Sequence, residues 1–105
     1  MKFSIKEMQS RLPLPANEKW TEGVWDIELH KKENVRMIFF APRGTDHQTS
    51  HDEDEYYFII RGNGELVILN ERHAFVAGDA FFVPAKVPHR FENFSDEFAC
   101  WAVFF

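Results

Sequence analysis

Cysteine is nearly absent: Cys100 is the only one in 105 residues. A single thiol excludes an intrachain disulfide and a cysteine-based zinc cluster, and it fits a reducing, cytoplasmic setting. A basic excess is lacking too. The formal net charge is −5, with no stretch that gathers Lys or Arg, so nucleic acid and anionic membrane are poor partners. No apolar run approaches membrane-spanning length, and MKFSIKEMQS has no signal-peptide core. Linkers, repeats and low-complexity segments are also missing. With 105 residues there is room for one domain around one core.

What is present is an ordinary globular balance, 45% hydrophobic and 28% charged, with a high aromatic share of 16% that includes twelve Phe. Rings of that size fill a small barrel or line a pocket for an apolar or planar ligand. Composition does not choose between the two.

Residues 1–20 differ from the rest. Ser4 and Glu7 have capping-box spacing, Ile5, Met8 and Leu12 recur at helical intervals, and Pro13 and Pro15 stop the helix. This predicts a short helix or arm, packed on the outside of the body or on a second subunit. Residues 21–105 read as β. Val24–His30 alternates apolar and polar, and Val35–Ala41 follows before Pro42-Arg43-Gly44. Tyr56–Arg61 ends at a predicted Gly62-Asn63-Gly64 turn, and Glu65–Leu69 turns at Asn70-Glu71 into Arg72–Val76. Ala77-Gly78-Asp79 leads to Ala80–Val83, then His89–Phe94 and Phe98–Phe105. Closely spaced strands without intervening helices predict an all-β sandwich or closed barrel.

Two segments carry ligand-type side chains. In the first, an extended chain from 47 to 61 would place His47, Thr49, His51, Glu53, Glu55 and Tyr57 on one face. His51 and Glu55 then reach one metal if the strand start bends at Ser50 or Asp52. In the second, Pro88 fixes the approach of a strand that presents His89 from the opposite side of a barrel.

These spacings resemble the two motifs of the cupin superfamily, over roughly residues 40–105. His51, Glu55 and Gly62 fit the first motif; Gly78, Pro84, His89 and Asn93 fit the second, with Lys86 where glycine is usual. The resemblance implies a double-stranded β-helix, or jelly-roll barrel, and a divalent ion (Fe, Mn, Zn or Ni) held by His51, Glu55 and His89. It also implies a histidine two residues before His51, where this chain has Thr49. Two His and one Glu match the facial triad of non-haem Fe(II), which leaves positions open. His47 lies about 6.6 Å further along an extended strand and would replace the lost ligand only through a bulge. Gln48 would offer a carbonyl oxygen from an irregular loop. The expectations, in order, are an open site, rescue by His47, and no metal.

Other residues read more simply. Asp52, Glu53 and Asp54 are expected to face solvent, His30 and His73 to lie on strand surfaces, and Cys100 to be buried. Phe40, Phe82, Phe91, Trp101 and Phe104 are expected to fill the barrel or line its cavity. Arg43 and Arg90 are expected at the surface. The leading function is an enzyme acting on a small organic molecule at a mononuclear metal, dioxygenase-like or isomerase/cyclase-like, with His47 or Tyr57 as candidate proton shuttle. The alternative is a non-catalytic ligand-binding or sensor module. A homodimer is expected, made by the N-terminal arm or by edge pairing of the apolar C-terminal strand.

Overall fold

The computed structural model describes residues 1–105. The Ser4 hydroxyl accepts from the Glu7 N–H at 3.2 Å and caps a six-residue helix, α1 (Ile5–Ser10). Eight strands follow: β1 (Asp26–Lys32), β2 (Val35–Phe40), β3 (Glu55–Arg61), β4 (Asn63–Ile68), β5 (Glu71–Val76), β6 (Ala80–Val83), β7 (His89–Glu92) and β8 (Ala99–Phe104). They form a five-stranded sheet in the order β1-β2-β8-β3-β6 and a three-stranded sheet in the order β5-β4-β7, with every recorded pairing antiparallel. This is the all-β arrangement expected from the strand spacing, with the short N-terminal helix and the jelly-roll form that the resemblance implies.

The inner faces of both sheets pack into one core, in which Tyr57, Ile59, Leu66, Phe75, Phe91 and Phe104 meet. A smaller cluster lies on the other face of β1, β2 and β8. There Met8 of α1 packs against Ile27, Phe39, Ala41 and Ala99, and Arg61 Nη2 donates to Gln9 Oε1 at 2.6 Å. The helix therefore covers its own sheet, and Trp20 enters the main core. Within one chain the arm and the C-terminal strand already have partners. Met8 is spent on the chain's own core, and β8 is hydrogen-bonded on both edges, to β2 and β3.

Several details depart from the strand pattern. β1 begins at Asp26, because the backbone N–H and C=O of Val24 pair with Leu14 at 3.0 and 2.8 Å. Gly62-Asn63-Gly64 is a corner where the chain leaves one sheet for the other, with β4 starting at Asn63. Gly62 has φ +85°, and a Cβ there would stand 2.7 Å from the Phe98 Cα, so both its backbone angle and its close approach require glycine. The β4–β5 turn falls on Leu69-Asn70, one residue early. Phe82 and Trp101 point away from the barrel interior: Phe82 is exposed, and Trp101 packs edge-on to Phe39 in the smaller cluster.

Candidate metal centre

The extended path expected for residues 47–61 exists only from Glu55 onward. Residues 47–54 are irregular, and the chain bends at Asp52-Glu53. Parity along a strand therefore does not bring His51 to Glu55; the fold of the loop does. Three contacts hold that loop. Asp54 exchanges both backbone hydrogen bonds with Phe105 at 3.0 Å, its Oδ1 accepts from the Ala85 N–H at 2.8 Å, and the His51 carbonyl accepts from the Lys86 N–H at 2.6 Å. Glu53 accepts from Arg36 Nε and Nη2 at 3.0 and 2.7 Å. Glu53 and Asp54 are thus partly buried struts, and Asp52 alone of the three is fully solvent-facing.

Glu55 opens β3 between β6 and β8, and His89 opens β7 in the other sheet. One ligand-type atom from each of His51, Glu55 and His89 lies within 4.8 Å of the others. Ligand atoms of a facial or tetrahedral set, at bonds of about 2.0–2.2 Å, stand roughly 2.8–3.6 Å apart. Glu55 Oε1 and His89 Nε2 already have that spacing at 3.0 Å, and His51 lies within 4.8 Å of both residues' ligand atoms.

The hydrogen-bond pattern fits a cation. Both Glu55 carboxylate oxygens are buried without a directed hydrogen bond, although His89 Nε2 stands only 3.0 Å from Oε1. His89 Nδ1 lies 2.9 Å from the Val87 carbonyl, which can only accept, so Nδ1 carries the proton. In the neutral imidazole, Nε2 then turns a lone pair toward Glu55, which repels unless a proton or a metal stands between. Burial raises the Glu55 pKa despite the neighbouring His89. Burial lowers that of His89, but the Glu55 carboxylate and the Val87 carbonyl outweigh it and leave it raised. His51, desolvated and facing His89, is lowered toward its neutral, ligating form.

Around the three stand residues of different standing in the sequence. Gln48 Oε1 is 3.3 Å from His51 Nε2 and 3.0 Å from the Tyr57 hydroxyl, which is also 3.0 Å from His89 Nε2. Burial holds the Tyr57 pKa well above its usual value, so the phenol keeps its proton and acts as a donor. His47 is not in the group. It packs edge-on to Trp20 with Nε2 3.4 Å from Glu22, because the irregular loop turns it away from His51 and Glu55. The Thr49 hydroxyl accepts from Lys19 Nζ at 3.3 Å, also away from the cluster.

Asp46 was not among the residues the sequence singled out. Its buried carboxylate accepts from the Phe91 N–H at 2.9 Å, from the Gln48 N–H at 3.0 Å and from Gln48 Nε2. By holding the amide NH₂, it aims Gln48 Oε1 at His51 and Tyr57. Burial raises its pKa. Neither periodicity nor spacing marks Asp46; only loop geometry does. The cluster opens into a cavity of about 230 Å³, walled by Trp20, Ile38, Phe40, Ala102 and Phe104 and edged by Lys19, Asp26 and Arg36. Arg43 stacks over Trp25, and Arg90 is exposed beside Glu92.

Comparison with known proteins agrees with the fold. A family model for the cupin domain matches residues 36–105. An uncharacterised protein of Streptomyces coelicolor is 33% identical over 93 residues, 87% of this chain and 88% of that protein. A cupin 2 conserved barrel protein from Salinispora arenicola superposes with a TM-score of 0.65 at 26% identity, over 76% of this chain and 73% of that one. The salicylate 1,2-dioxygenase of Pseudoaminobacter salicylatoxidans shares the fold, with a TM-score of 0.57 at 21% identity, over 68% of this chain and 21% of that one.

Proposed function

From the premise that the chain belongs to the cupin-domain family, we propose that it is an enzyme acting on a small organic molecule at one divalent metal ion, held by His51, Glu55 and His89. The observation that carries this is the Glu55 carboxylate, buried between two imidazoles with no directed hydrogen bond to either oxygen. Such a group is costly unless a cation neutralises it. Gln48 Oε1 serves as a fourth ligand in place of the missing histidine, and Asp46 positions it. Fe, Mn, Zn and Ni all suit two imidazoles with oxygen ligands.

The bound ion supplies Lewis acidity or, if iron, oxygen activation at the positions these side chains leave open. The protein's part is to bind, orient and exclude water. Trp20, Phe40 and Phe104 enclose the organic body, and Tyr57 offers one proton between Gln48 and His89. A dioxygenase sharing the fold makes oxygen chemistry the first reaction class to assay. No helix is long and apolar enough to cross a membrane, and a cytoplasmic setting suits the single buried thiol.

The test is metal content after purification without chelators. Near-stoichiometric metal is expected in the wild type and less than a tenth of that in His89→Ala. A folded wild type that takes up no metal under air or under nitrogen would sink this reading and leave a metal-free ligand-binding module. Homodimerisation is a separate proposal. Tyr56, Phe58, Phe82 and Phe105 are exposed together on the outer face of β3 and β6, with Tyr56 stacked on Phe105 at 5.4 Å, and β6 is an unpaired edge. A second copy with the same patch and edge covers both across a twofold axis. Light scattering should show a dimer at micromolar concentration and a monomer for Tyr56→Lys/Phe82→Lys.

A further inference from the structure

Among the polar groups at the rim of the 230 Å³ cavity, Lys19 and Asp26 feel each other's charge but share no hydrogen bond or ion pair. Glu55 faces His89, Gln48 faces Tyr57 and Asp46, and Arg36 is taken up by Glu53 at 2.7 Å and Glu28 at 3.5 Å. Lys19 has only the neutral Thr49 hydroxyl, at 3.3 Å. Asp26 has neither a hydrogen bond nor an ion pair from its side chain, although it is half-buried and fixed at the start of β1 opposite Phe40. Burial raises its pKa, which Lys19 only partly offsets. A half-buried carboxyl at the cavity rim with no hydrogen-bonding partner of its own is available to a ligand in that cavity.

We propose that this cavity binds a small organic acid, with Lys19 meeting its carboxylate and Asp26 accepting a hydrogen bond from a hydroxyl or ammonium group of the same molecule. Trp20, Phe40 and Phe104 take its apolar or planar body. The volume lies below the roughly 300–1,000 Å³ of sites for drug-sized ligands, which limits the acid to about the size of a substituted benzene. The inference rests on this cavity being the substrate chamber of the proposed metal centre, and it deepens that reading by naming the ligand class.

The probes are phenylacetate, mandelate, which adds one hydroxyl, and the neutral 2-phenylethanol. Their affinities are measured by amide chemical-shift titration of the full chain, metal-free and with zinc. Phenylacetate should bind at least tenfold more tightly than 2-phenylethanol, and mandelate several-fold more tightly than phenylacetate. Lys19→Gln should lower affinity for both acids about tenfold and leave the alcohol unchanged. Asp26→Asn should erase the advantage of mandelate alone, with both variants at least as thermostable as the wild type. Equal binding of acids and alcohol, or acid affinity indifferent to Lys19, overturns the proposal. Zinc stoichiometry from the same samples keeps the two readings apart. Zinc uptake with no Lys19-dependent acid binding overturns only this inference, and acid binding without zinc uptake overturns only the metal centre.

Discussion

The two ends of β3 are built from opposite materials. At the Gly62 end, Phe75, Phe91, Phe94 and Phe98 form a cluster of rings with centroids 4.7–5.6 Å apart, tilted or edge-on, and Phe98 is fully buried. At the Glu55 end, six residues along the same strand, the interior holds Glu55, His89 and Asp46. The first end loses no hydrogen bonds by being buried, and aromatic packing adds to its hydrophobic gain. The second carries desolvated charge that the protein alone does not satisfy. One end supplies stability, and the other consumes some of it for chemistry.

That contrast can be broken most sharply at Phe98. Phe98→Ala should cost about 3–5 kcal/mol in denaturant unfolding, because a rigid cluster of rings leaves a cavity rather than collapsing. Metal content per folded molecule should stay unchanged. A loss below 1 kcal/mol would mean that the ring cluster is not what holds the barrel closed.

Glu55→Gln should move stability the other way. It abolishes stoichiometric metal, yet the metal-free variant should gain about 1–2 kcal/mol at pH 8, since a buried carboxylate without directed hydrogen bonds is gone. The pH dependence follows. The His89 pKa is raised above 6.5, so its contribution is complete below pH 6.5 and is lost as pH rises through the higher folded value. Metal-free wild type should therefore lose thermal stability above pH 6.5, and Glu55→Gln should flatten that slope. Metal affinity should climb over the same interval, because the ion displaces the proton.

The smallest effect is expected at Lys86, which holds φ +66°. Lys86→Gly relieves a left-handed backbone at the expense of a more flexible unfolded chain, a net gain of about 0.5–1 kcal/mol by thermal melting. The bond from its N–H to the His51 carbonyl remains available to glycine.

These residues also show what was legible in the sequence. Gly62 and Lys86 sit at motif positions where glycine is expected, and both have positive φ, so the motif was a record of backbone shape as much as of ligands. Glu55 and His89 were legible because each opens a strand and its spacing is set by that strand. His47 was misread because period-two reasoning was carried into residues 47–54, which are not extended. Asp46, Asp26 and Lys19 left no trace for a related reason. Asp46 acts through Gln48, two residues on, and Phe91, 45 residues on, while Lys19 reaches Thr49, 30 residues on, so only the paths of irregular segments bring these groups to the cavity. Phe82 and Trp101 show the limit of apolar identity, which marks burial without saying on which face.

The Lys86 N–H to His51 carbonyl bond ties the turn ahead of His89 to the loop that carries His51. His51 rides on an irregular loop and His89 on the first residue of β7, and this one bond joins the two carriers. The two carriers are thereby held in register with each other before any ligand arrives.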